Sequence, residues 1–129
     1  MIKLFILILL SNTTNIDKVK SIYLLTQVEE QSITYAIIRY ETAHLQCAKK
    51  NIICSLDYNN LFGFRYQNGY LKFNDYASSI KYYQRWQKRH WTKYKRKHPS
   101  KSYYDFLKYI GYCNSMNDYI KVIKKIQRL

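Results

Sequence analysis

The sequence predicts an α+β domain, mainly helical, with a small β-hairpin lobe flanking a substrate cleft. Three observations lead there. Apolar residues recur at helical three-and-four spacing over most of the chain, a single aromatic-rich island surrounds Asn68-Gly69, and the 129 residues are 47% apolar. That length holds one compact core and is too short for two ordinary ones.

The elements follow in order. Met1-Ile-Lys3 leads into an unbroken apolar run from Leu4 to Leu10 and then the polar Ser11-Asn-Thr-Thr-Asn15. A positive start and a short apolar run are the pattern of an export signal, far below the roughly 20 residues of a membrane-spanning helix. Residues 1–25 are therefore read as a leader and 26–129 as the domain, which predicts an exported protein of the periplasm or extracellular envelope. No small-x-small cleavage site is evident, and the competing reading is an apolar N-terminal helix packed on the domain. From Thr26 to Lys50, Val28, Ile33, Ala36, Ile37, Tyr40, Ala43, His44 and Cys47 keep helical spacing, which places Glu41 on a helix close to its apolar seam. Glu29 and Glu30 fall in its first turn, where the helix dipole favours acids.

Asn51 to Asn60 reads as a loop. The run Phe62-Gly-Phe-Arg-Tyr-Gln-Asn-Gly-Tyr-Leu-Lys-Phe73 reads as a hairpin turning at Asn68-Gly69. Asn74 or Asp75 caps the next helix, which puts Tyr76, Ile80, Tyr83 and Trp86 on one face and Lys81, Arg85, Lys88 and Arg89 around it. Thr92 to Ser102, with the only proline, reads as an exposed connection. Helices are expected at Tyr103 to Ile110 and Asn117 to Gln127, separated by Gly111, which suits a helix C-terminus.

A formal net charge of +14 and an aromatic content of 17%, most of it tyrosine, point to an extended anionic or carbohydrate partner without naming the polymer. Three cysteines leave one over. In an exported protein Cys47 and Cys54 could close a small loop; three buried thiols are the competing reading. No Cys-x-x-Cys or Cys/His metal spacing exists, so neither a metal nor a cofactor is expected.

Four segments resemble, in this order, the bacterial glucosaminidase family of peptidoglycan hydrolases, a branch of the lysozyme-like superfamily. They are Ala36-Ile-Ile-Arg-Tyr-Glu-Thr-Ala-His44, Tyr58-Asn-Asn-Leu-Phe-Gly-Phe-Arg65, Phe73-Asn-Asp-Tyr-Ala-Ser-Ser-Ile-Lys-Tyr-Tyr83, and Gly111-Tyr-Cys113 with Tyr119-Ile-Lys-Val-Ile123. The resemblance spans residues 26 to 126 and implies a lysozyme-like fold, with Glu41 matching the family's catalytic acid. Tyr112 matches the tyrosine of the family's Gly-Tyr-Ala segment beside that acid. Ala43 stands where the family has glycine. The segment from Gly111 to Tyr119 is about one residue longer than in common members, which leaves open whether Tyr112 or Tyr119 faces the substrate. Larger relatives carry a second acid in the hairpin lobe, and here Phe62 to Asn74 holds none.

The eight carboxylates can also be sorted by place. Asp17 lies near the leader, Asp75 is a cap, and Glu29, Glu30, Asp105 and Asp118 sit in early helical turns. Glu41 remains, with Asp57 as a loop candidate. An acid among apolar neighbours has its charged form disfavoured, which raises its pKa and lets it donate a proton near neutral pH. Glycoside cleavage ordinarily needs a second group. Either Asp57 places a water across the sugar, or the substrate's N-acetyl group attacks the anomeric carbon while Tyr112 steadies the charge. The substrate-assisted route is preferred, because the resemblance gives Asp57 no position.

Asn60, Phe62, Tyr66, Tyr70 and Tyr119 are the candidate substrate-binding residues. Asn60 and Phe62 also suit a structural part in the turn, where Gly63 can supply a positive φ, and Tyr66 and Tyr70 could equally cover a small core. The expected activity is hydrolysis of β-1,4 bonds in N-acetylated peptidoglycan strands, of the endo-β-N-acetylglucosaminidase type. Expected with it are a monomeric state, attraction to anionic envelope polymers and no stable membrane span. Two readings compete with it. Tyr82 to Lys101 interleaves cations and rings as a single-stranded nucleic-acid platform does. A non-catalytic wall-binding relative, in which Glu41 no longer acts, is the other.

Overall fold

The computed structural model describes residues 14–42, 54–113 and 115–129. Its elements are helices α1 (Asn15–Leu25) and α2 (Gln31–Glu41), a 3₁₀ turn at Ser55–Tyr58, strands β1 (Arg65–Tyr66) and β2 (Gly69–Tyr70), and helices α3 (Tyr76–Lys97), α4 (Tyr103–Ile110) and α5 (Met116–Gln127). This is the mainly helical class with one small antiparallel hairpin that the sequence predicts. Helix α2 packs on α5, α1 packs on α3, and α4 touches both α3 and α5.

Helix α2 is enclosed on all sides, since every residue from Ile33 to Ile38 is buried. Its two polar members avoid the cost of burial by donating to main-chain carbonyls. The Thr34 hydroxyl donates to the Glu29 carbonyl at 3.0 Å and the Tyr35 hydroxyl to the Leu25 carbonyl at 3.1 Å. The helix starts at Gln31 and not near Thr26, because Glu30 takes a left-handed conformation with φ 50°. Glu29 is held ahead of it by the buried side chain of Gln87 on α3, which accepts its N–H at 3.1 Å and donates to its carbonyl at 2.9 Å. Glu29 and Glu30 thus precede the helix in whose first turn they were expected.

Helix α1 is part of the folded unit. Leu25 is fully buried in the core. Asp17, also buried, accepts the N–H groups of Tyr76 at 3.0 Å and Ala77 at 2.9 Å, and the Ser21 hydroxyl at 3.2 Å. An anion at the start of α3 satisfies amides that have no partner within the helix. The expected boundary at residue 25 therefore falls inside packed structure, and Asp17 is a helix-capping acid of the domain. Residues 1–13, which carry the apolar run read as a leader, lie outside the described residues. Asp75 caps α3 as expected, accepting the Ser78 N–H at 2.7 Å.

Helix α3 runs on to Lys97, so Thr92 to Lys97, expected as a connection, is helical. Trp91 and Tyr94 continue the face of Ile80, Tyr83 and Gln87 and are buried with it. Helix α4 has the expected bounds, with a reciprocal cap between Ser102 and Asp105 at its start and Gly111 at φ 67° at its end. In the hairpin Arg65 pairs with Tyr70 and Tyr66 with Gly69. The turn is therefore Gln67-Asn68, one residue earlier than expected, and Gln67 takes the positive φ of 54°.

The core joins aliphatic side chains to a set of packed aromatic rings. Phe62 stacks on Tyr83 with ring centres 4.1 Å apart, the Tyr83 and Tyr103 hydroxyls share a hydrogen bond of 2.6 Å, and Trp91 meets Tyr103 and Phe106 edgewise or tilted. Cys54 is disulfide-bonded and Cys113 is free. Cys47, the partner expected for Cys54, lies outside the described residues, as do Ala43 and His44. Among the described residues no helix is long and apolar enough to cross a membrane.

Candidate active site

Glu41 is the last residue of α2, and its main chain is tied to the next segment by the Ser55 hydroxyl, which donates to its carbonyl at 3.1 Å. The side chain enters a cleft of about 470 Å³. Phe64 and Arg65 wall it on the hairpin side, Trp86 stands on α3, and Gly111, Tyr112 and Cys113 close it at the end of α4. The Tyr119 hydroxyl on α5 donates to Oε1 at 3.2 Å.

Gly63 explains how the acid fits. Its φ is +68°, and a Cβ there would overlap Glu41 Oε2 and stand 2.8 Å from Cδ. Only glycine combines that backbone with that contact. Its place is fixed by Asn60, which is fully buried and donates from Nδ2 to the carbonyls of Phe64 at 2.8 Å and Leu71 at 3.0 Å. Asn60 Oδ1 accepts the Phe64 N–H at 3.1 Å. The Asn60-Leu61-Phe62-Gly63 turn thus brings bare backbone against the carboxylate.

The electrostatics follow from this enclosure. Burial raises the Glu41 carboxyl from its ordinary 4.5 to about 7, against the smaller lowering effects of the Tyr119 hydrogen bond and the nearby Arg65 charge. Burial, with the Glu41 charge next, pushes the Tyr119 hydroxyl far up, so it stays protonated and remains a donor. Tyr112 is also raised by burial, with Tyr119 next. Its hydroxyl donates to the Phe62 carbonyl at 2.9 Å, which leaves its oxygen lone pairs for whatever lies in the cleft.

The structure thus brings Glu41, Tyr112 and Tyr119 together, the two tyrosine rings lying 5.9 Å apart. It does not bring in the others. Asp57 is exposed, accepts the Cys54 N–H at 3.2 Å within the 3₁₀ turn, and directs its charge at Tyr76. Among the described residues Glu41 is the one carboxylate lining the cleft. Asn60 and Phe62 are core residues, and neither offers its side chain to a ligand. Tyr66 is exposed on the hairpin, and Tyr70 lies under the Arg65 guanidinium at 4.3 Å.

Phe64, Arg65 and Trp86 are cleft residues that sequence reasoning did not single out. Arg65 and Phe64 follow Gly63 directly, so the turn that seats the glycine also delivers them. Trp86 sits one turn beyond Tyr83 on the same face of α3. Of the rings in the expected nucleic-acid platform, Tyr83, Trp91 and Tyr94 face the core, while Tyr82 is exposed and Trp86 lines the cleft. Among the described residues no group of three or more His, Cys, Asp or Glu gathers as a metal-holding set.

Comparison with known proteins adds no relative. No family model, curated protein or solved structure matches the chain. The functional reading rests on the chain's own residues and on the motif resemblance in its sequence.

Proposed function

We propose that the protein is a glycoside hydrolase of the peptidoglycan N-acetylglucosaminidase type, with a lysozyme-like arrangement and Glu41 as general acid. The observation that carries this is a single carboxyl group, raised to about 7, at the floor of a cleft of about 470 Å³ with aromatic side chains in its walls. Such a group holds a transferable proton at neutral pH. Tyr119 occupies Oε1, so Oε2 over Gly63 is the oxygen that carries the proton.

With no second acid in the described part of the cleft, the substrate's acetamido group serves as nucleophile. Glu41 protonates the glycosidic oxygen as the bond to the anomeric carbon breaks, and the acetamido oxygen closes on that carbon to give a cyclic oxazolinium ion. The Tyr112 oxygen steadies the positive charge. Water then attacks the anomeric carbon, the carboxylate of Glu41 takes its proton, and ring opening restores the N-acetyl group and the acid.

The test is digestion of purified peptidoglycan by the wild type and by Glu41→Gln, with released reducing ends identified by mass. The expected result is loss of at least about a hundredfold in rate for the variant, the scale of general acid catalysis. Equal release by both would remove Glu41 from the chemistry.

A further inference from the structure

A second cavity of about 170 Å³ lies beside the cleft, and the two share Ile110 in their walls. One side is the end of α3, where Lys93 and Lys97 supply the charge and His90 and Tyr94 line it with them, followed by His98 just beyond the helix. Lys93 and Lys97 are one turn apart, so both ammonium groups serve the same face. Its other side is aromatic: Tyr109 lies 5.0 Å from the Tyr94 ring, and the His98 ring lies 4.6 Å from Tyr94. Tyr109 is 73% exposed, so its ring is open to a ligand from solvent.

The two cavities are neighbours along α3. Trp86 walls the first, His90 walls the second, and their rings are 5.9 Å apart. No carboxylate lines the second cavity among the described residues, so its two lysines meet no acid there. Cations beside an exposed ring suit a ligand with both an anionic group and an apolar face.

The geometry points to an anion-binding subsite at Lys93 and Lys97 that holds a carboxylate-bearing substituent of the strand whose sugar backbone lies in the Glu41 cleft. On a peptidoglycan strand that substituent is the stem peptide, whose carboxylates lie further from the sugar than the lactyl carboxylate left when the peptide is removed. The identity of the strand rests on the proposed hydrolase function, whereas the subsite itself rests on the second cavity. A strand passing from Trp86 over His90 runs along α3 toward Lys93 and Lys97. Binding at this subsite selects glycan that still carries its peptides and fixes which sugar sits over Glu41.

The experiment measures binding with the full chain carrying Glu41→Gln, so that hydrolysis plays no part. The probes are soluble glycan strands with stem peptides, the same strands with the peptides removed, and poly(glycerol phosphate). Lys93→Gln with Lys97→Gln is compared with Lys81→Gln with Arg85→Gln, an equal loss of charge at exposed positions of α3 away from both cavities. Melting temperature confirms that both double variants fold. The subsite predicts that peptide-bearing strands bind about tenfold tighter than bare strands, and that only the Lys93/Lys97 pair removes the difference.

Equal affinity for the two strands, with binding retained, would overturn the subsite and leave the hydrolase function standing. Equal losses from both charge pairs would reduce the effect to net charge and overturn it as well. Tighter, Lys93/Lys97-dependent binding of poly(glycerol phosphate) than of either strand would reassign the cavity to a phosphodiester polymer. Failure of every form to bind either strand would remove the glycan reading and the subsite together.

Discussion

Glu41 and Tyr119 form the pair on which the proposed chemistry depends. The hydroxyl bond at 3.2 Å favours the carboxylate over the acid, so it holds the pKa below where burial alone would set it. Tyr119→Phe therefore raises the Glu41 pKa further. A pH profile of kcat/KM should show its alkaline limb moving to higher pH in the variant, since the acid persists further up the scale. A limb that stayed in place or moved down would show that Glu41 is not the group being titrated. Glu41 itself was legible in the sequence as the one acid on an apolar helix without a capping duty. Tyr119 was legible as a candidate, but its partnership was not, because the hydrogen bond joins residues far apart in the chain. Asp57 was the reverse case, since an exposed loop acid and a turn-capping acid look alike until the turn is seen.

At the scale of elements, the decisive meeting is between the end of α2 and the turn from Asn60 to Gly63. Gly63→Ala places a methyl group against the Glu41 carboxylate and forces a side chain into the left-handed region. The backbone cost alone is about 1–2 kcal/mol, read as a lower midpoint in urea unfolding. The displaced acid should cost activity well beyond that, so a variant still folded at assay temperature should be nearly inactive. A fully active Gly63→Ala would mean that the carboxylate does not depend on this contact.

Element existence could be read well, since α4 and its terminal Gly111 have the expected bounds and Asp75 is the expected cap. The length of α3 was hidden by its basic residues, which outnumber the buried positions, and by Gln87, a polar side chain in the middle of its buried face. The hairpin turn was misplaced by one residue because Asn68-Gly69 is the stronger local signal. The actual turn is set by the Asn60 bonds to Phe64 and Leu71, which hold the strands from outside the hairpin.

For the molecule as a whole, the raised carboxyl couples the site to stability. Between pH 4.5 and about 7 the folded state keeps a proton on Glu41 that the unfolded chain has released. The native state then binds more protons than the unfolded one, so this residue makes stability fall as pH rises through that window. Glu41→Gln should flatten that part of the stability curve and be the more stable protein above pH 7, as urea melts at several pH values would show. An unchanged slope would mean that the carboxyl is not desolvated. The high tyrosine content also takes on a meaning that composition alone left open. Many of the rings build the core, as Tyr83, Tyr94 and Tyr103 show, while Tyr66 and Tyr109 remain exposed. Aromatic abundance therefore implied a ligand only in part, and the positive charge is the more specific sign of an anionic partner.

The helix that completes the enclosure of the acid supplies a residue 78 positions further along the chain. Helix α5 packs on α2 and supplies Tyr119, so a chain still lacking residues beyond Met116 has nothing to enclose Glu41 on that side. Without α5 the carboxyl loses the Tyr119 hydrogen bond and part of the burial that raises its pKa. The environment that the proposed chemistry needs is therefore assembled only once these two distant helices have packed together.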